Sequence, residues 1–137
     1  MRIYFSPDQT PVLLDSLMAM ESLHRRLDSF LDSGEDSIRL QAEQWGDPDP
    51  YEEFLGGLEI RKSEGPLTLG LTANRWLELK GALRNLKRYV SHFRFEQDNC
   101  HHHPGDVNLE GYIQPGSMDL IIEVCSDWIH DLKVMQH

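Results

Sequence analysis

Residues 10–43, TPVLLDSLMAMESLHRRLDSFLDSGEDSIRLQAE, change their hydrophobic period once, and that change decides the fold class. Thr10 offers a helix N-cap, and Pro11 falls at the first helical position, where its missing N–H costs nothing. Leu13, Leu17, Met20, His24, Leu27 and Leu31 then recur at spacings of three and four, with Leu14, Leu23 and Phe30 widening the stripe. The spacing predicts an amphipathic helix of about six turns that ends at Gly34. Beyond Gly34 the period becomes two. Ile38, Leu40 and Ala42 alternate with Ser37, Arg39, Gln41 and Glu43, the pattern of a half-buried strand.

Working outward, RIYFS at residues 2–6 is β-branched and aromatic and is stopped by Pro7, so it reads as a first strand. GDPDPYEEF (46–54), with its prolines and acids, reads as a loop or an irregular edge. Leu58 and Ile60 resume the alternation, and a turn over Ser63–Pro66 leads to Leu67, Leu69 and Leu71, which predicts a hairpin. A second long helix is expected after an N-cap at Thr72 or Asn74. Trp76, Leu79, Leu83, Leu86, Val90 and Phe93 form its apolar stripe, and Arg75, Lys80, Arg84, Lys87 and Arg88 its basic face. Gly81 inside that helix would cost about 1 kcal/mol against alanine. In the last third, RFEQ (94–97), Val107–Ile113 and Asp119–Cys125 read as strands, with a turn at Gln114–Gly116. The tail SDWIHDLKVMQH (126–137) reads as a short helix carrying Trp128, Ile129 and Leu132. Together these elements imply one α+β domain over residues 1–137. An antiparallel or mixed sheet of about five to six strands carries two long helices packed on one face.

The chain has 137 residues and a net charge of −10, long enough for a domain that buries roughly two thirds of its unfolded surface. Residues 1–60 carry 13 acids against 4 bases, residues 61–95 carry 2 against 8, and residues 96–137 carry 8 against 1. An acidic surface repels nucleic acid and membranes and speeds encounter with cationic partners, while also serving plain solubility. The two cysteines, Cys100 and Cys125, are too few for a secreted disulfide scaffold. No apolar run is long enough to span a membrane, and the first ten residues lack a signal-peptide pattern. A cytoplasmic location is the expectation.

Two stretches could carry chemistry. Cys100, His101, His102, His103 and Asp106 cluster within seven residues, and the three histidines and the cysteine are borderline-soft ligands that could serve zinc or nickel. Alternate residues of a strand share a face, which would let His101 and His103 meet one ion. Cys100 and Asp106 are the remaining local candidates, and His92, Cys125 or His130 could close the site only in space. The alternative is a histidine-rich strand end hydrogen-bonded to its neighbours. A general base with Cys100 as nucleophile would need an oriented triad, and no nucleophile elbow, phosphate loop or HExxH helix is present. His24 lies in the first helix's apolar stripe and reads as a satisfied core or boundary histidine and not as a ligand. The basic face of the second helix is flanked by acidic segments that oppose nucleic acid, so its bases are expected to pair with carboxylates of this domain or of a second copy in a homodimer.

The second stretch is the acidic loop, where Asp47, Asp49, Glu52 and Glu53 are set among Trp45, Tyr51 and Phe54. Rings supply buried area and acids supply steering, the two requirements of a patch that covers a basic surface. The alternative is a solvated loop whose rings fold back on the core.

Over residues 93–125, CHHHPGDVNLEGYIQPGSMDLIIEV (100–124) runs from a histidine-bearing strand through the Pro115–Ser117 turn into the strand Asp119–Val124. With the acidity and the element order, this resembles the immunity proteins of bacterial polymorphic toxin systems, in particular the immunity protein 32 type. The resemblance implies an α+β protein without catalysis or cofactor of its own. Such a protein binds a cognate toxin domain with a basic surface and occludes it.

Overall fold

The computed structural model describes residues 1–126, so the expected tail helix lies outside the described residues. Strand β1 (Arg2–Ser6) turns at Pro7–Asp8 into β2 (Gln9–Asp15), and the two pair antiparallel with Ile3 opposite Leu13 and Tyr4 opposite Val12. The first helix therefore does not begin at Pro11. Val12, Leu13 and Leu14 all bury their side chains, one face on the core and the other beneath a loop, as a strand of a covered sheet does. A register shift between Tyr4 and Ser6 lets β2 carry an extra residue beside Pro11, the usual way a strand absorbs a proline with no N–H to give.

Helix α1 (Leu17–Asp32) starts six residues later, nearly two turns, on Ser16, whose Oγ accepts from the Ala19 N–H at 3.1 Å. Met20, Leu27, Phe30 and Leu31 form its buried stripe, so the predicted periodicity holds for the helix that exists. His24 is a boundary residue as expected, 3.5 Å from Asp28. Strand β3 (Ser37–Gln41) follows with the predicted alternation.

The remaining described elements are β4 (Glu53–Phe54), β5 (Gly57–Lys62), β6 (Thr68–Leu71), β7 (Leu77–Gly81), α2 (Leu83–Val90), β8 (Cys100–His102) and β9 (Ile121–Val124). They make an α+β fold in which the described strands divide between two mixed sheets, one ordered β4-β1-β2-β9-β8 and the other β3-β5-β7-β6. Several sequence expectations change here. Strands β5 and β6 are not a hairpin, because β7 lies between them, parallel to β5 and antiparallel to β6. Thr72 and Asn74, expected to cap a helix, instead form the β6–β7 turn, where Thr72 N–H donates to the Trp76 carbonyl at 2.8 Å. The second helix thus loses its first half and runs only over Leu83–Val90, with a 3-10 turn over Ser91–Phe93. Gly81 ends a strand rather than weakening a helix, and it lets β7 pass close to Leu67. RFEQ and Val107–Ile113 are irregular, apart from an isolated bridge of Ile113 to Leu67. That segment clamps the β6 edge: Leu67 N–H donates to the Tyr112 carbonyl, and Gln114 N–H donates back to Leu67.

One hydrophobic cluster draws on both sheets and both helices. Ile3, Leu13 and Ile122 come from the inner face of the five-stranded sheet, Leu58, Ile60 and Leu79 from the four-stranded sheet, and Leu27 and Leu86 from the helices. The outer face of the four-stranded sheet is polar. Trp76 lies flat over Gly56 and Gly57, and a side chain at Gly57 would strike both the indole and the Leu40 carbonyl. Gly57→Ala is therefore expected to cost about 1–3 kcal/mol, read as a lower urea midpoint. Gly34→Ala, with open space around its Cβ, is expected to leave the midpoint unchanged within error.

Candidate functional site: a cleft on the outer face of the five-stranded sheet

Alternation along the strands sends a second set of side chains away from the core. Across the sheet, Arg2, Leu14, Glu123 and His101 stand in one row, and Phe54, Tyr4, Val12 and Ile121 in the next. Val12 and Leu14 seed a separate apolar cluster there, with Tyr4, Tyr51, Ile121 and Cys125 packed against it.

The loop between β3 and β4 folds over one end of this face. Tyr51 meets the Tyr4 ring at 5.6 Å between centroids, and Phe54 meets it edge-on at 4.9 Å. Its anchor is Arg2. The guanidinium carbon lies 3.6 Å from the Trp45 ring centroid and 4.8 Å from that of Phe54, and Arg2 Nε is 3.9 Å from the Glu43 carboxylate. Its side chain is fully buried. That burial lowers the Arg2 pKa from the ordinary arginine range, with Tyr4 and Glu43 opposing the shift. Burial likewise raises the Tyr4 phenol, against the pull of Arg2.

The predicted loop residues thus separate by what they touch. Phe54 is buried, and Glu53 is ion-paired with Arg75. Trp45 remains 37% exposed on its outer side. Asp47, Asp49 and Glu52 are exposed, and none of the three forms an ion pair among the described residues. Asp47 Oδ1 accepts from the Asp49 N–H at 2.9 Å, holding the acidic tip in a turn.

The histidines divide by the same alternation. His101 and His103 point outward, their rings perpendicular with centroids 5.1 Å apart. His102 points inward, stacked on Phe95 at 4.0 Å, with Nδ1 2.8 Å from the His92 carbonyl. Sharing of a face by His101 and His103 was legible in the sequence. Among the described residues the wider ligand set does not assemble. Cys100 lies on the inner side of β8, its thiol accepting from Gln97 Nε2 at 3.2 Å. Asp106 ends a 3-10 turn past the strand (Pro104–Asp106). His92 faces the Arg88 and Tyr89 carbonyls, Cys125 packs in the outer apolar cluster, and His130 lies outside the described residues. Among the described residues no three His, Cys, Asp or Glu side chains are placed to hold one ion.

Loop and histidine cluster, about fifty residues apart in the chain, meet over the same cleft of about 470 Å³. Val12, Leu14 and Ile121 form its floor. Tyr4, Asp49, Pro50 and Tyr51 stand on one side, and His101, His103 and Glu123 on the other. Sequence reasoning missed Tyr4 and Glu123. Both sit in strands that read as ordinary core, and only the pairing of β2 with β9 places them on one face.

The bases of the expected helical face are largely neutralised by carboxylates of this chain. Arg75 holds Glu53, Lys87 lies 3.7 Å from Asp32, and Lys80 lies 3.9 Å from Glu78. On the outer face of the four-stranded sheet, Glu59 accepts from Arg39 at 3.2 Å and Arg61 at 2.6 Å.

No family model, curated protein or solved structure matches the chain. No helix among the described residues is long and apolar enough to cross a membrane.

Arg2→Ala removes the plate on which Trp45 and Phe54 rest. It is expected to cost about 1–3 kcal/mol in lost packing and cation–π contact. Amide exchange should rise over residues 43–54 while β5 keeps its protection. Unchanged exchange across the loop would show that Arg2 does not anchor it.

Proposed function

We propose that this protein is an immunity-type inhibitor that binds a cognate toxin domain and covers its basic active surface. The observation that carries the proposal is a group of uncompensated carboxylates around a ring-lined cleft. The carboxylates Glu53, Glu59 and Glu78 are held by arginines or lysines of the same chain. Asp47, Asp49 and Glu52 crown an exposed loop, and Glu123 stands across the cleft from it, without an ion pair among the described residues. Carboxylates left uncompensated around a cleft create a local negative field that attracts a cationic protein and orients its approach. Trp45 and Tyr51 add ring area beside them, and the loop rests on a buried arginine, so little order has to be created on binding.

The resemblance over residues 93–125 supports the same conclusion. The mechanism is occlusion. The acidic tip meets the partner's cationic surface first, and the cleft then fills with partner side chains, which excludes the toxin's substrate. Catalysis by this chain plays no part, and its place of action is the cytoplasm, where the toxin would otherwise act.

Two measurements test this. The neighbouring gene is expected to encode a toxin domain, and co-expression of this chain with it is expected to restore growth of a cell that the toxin alone arrests; a neighbour without such a domain, or persistent arrest despite soluble expression, would overturn the proposal. In purified components, the association rate should fall about tenfold or more between low and high salt, because long-range steering is screened. The triple variant Asp47→Asn, Asp49→Asn, Glu52→Gln should associate slowly at low salt and show a flatter salt dependence. An on-rate indifferent to both salt and substitution would remove the acidic loop from the interface.

A further inference from the structure

The geometry points to the cleft beside the acidic loop as a receptor site for one arginine side chain of the partner, an inference that rests on the inhibitor function proposed above. The floor is apolar, with Val12, Leu14 and Ile121 from adjacent strands, and accepts the aliphatic stem of a long basic side chain. Tyr4 and Tyr51, tilted at 53° with centroids 5.6 Å apart, present ring surface to the same space, and a planar guanidinium stacks on such faces. Asp49 and Glu123 line the cleft from its two sides, neither in an ion pair among the described residues.

Glu123 is the decisive group. It is half-buried on a strand flanked by Leu14 and His101. A half-buried carboxylate with no ion pair among the described residues offers its oxygens to a cation or hydrogen-bond donor entering the cleft. A guanidinium entering over Tyr51 would offer it two parallel N–H donors. Arg2 stands at the far end of the same row, two strand spacings or about 10 Å away along the sheet, and packs against Trp45 and Phe54 with Glu43 beside it. His101 and His103 close the other wall as further stacking surfaces.

The test uses the intact protein and a matched pair of probes, N-acetyl-arginine methylamide and its citrulline counterpart, which has the same shape but no charge. Side-chain resonances of Val12, Leu14, Ile121, His101 and His103 are followed by NMR during titration. The arginine probe is expected to shift these signals saturably, with the citrulline probe about tenfold weaker, the difference that a charge-assisted hydrogen bond provides. Glu123→Gln should remove that preference, whereas Glu59→Gln, on the other sheet's outer face, should leave it intact. Equal response to both probes, or shifts spread away from the cleft, would overturn the inference. So would zinc chloride that saturates His101 and His103 at one equivalent and expels the arginine probe, since the cleft would then be a metal site. Against the toxin domain, Glu123→Gln should speed dissociation about tenfold with little change in association. If the probe fails to bind while growth rescue and salt-steered association persist, the arginine anchor is wrong and the inhibitor function stands. If rescue fails as well, both fall.

Discussion

The parallel pairing of β2 with β9 is the constraint on which the rest of the molecule depends. It joins Val12–Asp15 to Ile121–Val124 across more than a hundred residues, and the junction is locked at its end by the Cys125 N–H donating to the Asp15 carbonyl and the Leu17 N–H to the Ser126 hydroxyl. Asp15 also holds the chain's amino terminus at 3.0 Å. Parallel strands need a crossover rather than a tight turn, and here the crossover contains α1, the whole four-stranded sheet, α2 and β8. The intervening chain is thereby folded into a layer against which the sheet's inner face packs.

Because side chains alternate along a strand, one register determines two surfaces at once. With Leu13 opposite Ile122 facing the core, Leu14 must stand opposite Glu123 on the outside. A slip of β9 by one residue would bury Glu123 and expose Ile122. The cleft is therefore the reverse side of the core packing, and its geometry is as firmly specified as the core itself. The loop supplies the cleft's second wall, fixed in turn by the buried guanidinium of Arg2. A buried arginine is a poor source of stability, since its desolvation opposes its attractions. Its value here is positional: a planar cation between two rings sets where Trp45 and Phe54 lie.

Charge is divided between two sheets with different roles. The outer face of the four-stranded sheet alternates Arg39, Glu59, Arg61, Glu78 and Lys80 in cross-strand contact, with Arg61 reaching both glutamates. Such exposed pairs contribute little stability individually. Their effect is to cancel one another, and Glu59 and Glu78, direct cross-strand neighbours, would repel without them. Around the cleft, Asp47, Asp49, Glu52 and Glu123 have no such partner among the described residues, so their charge stays open to an incoming cation.

Local periodicity by itself determined β1, the buried stripe of α1, β3, β9 and the shared face of His101 and His103, because each depends on spacing within a few residues. It misassigned Gln9–Asp15 and Leu77–Gly81, where the apolar spacing fits a helix and a strand equally well. Leu13 and Leu14 extend the heptad-like run of α1, and Leu79 falls in line with Leu83, Leu86 and Val90. Only the neighbouring strands, β1 and β9 in one case and β5 and β6 in the other, resolve that ambiguity by supplying hydrogen-bond partners a helix would not need. The acidic loop and the histidines were each visible as compositional clusters. Their convergence with Tyr4 and Glu123 was not, because closing a chain over such distances leaves no periodic trace in sequence and is decided by which strands pair.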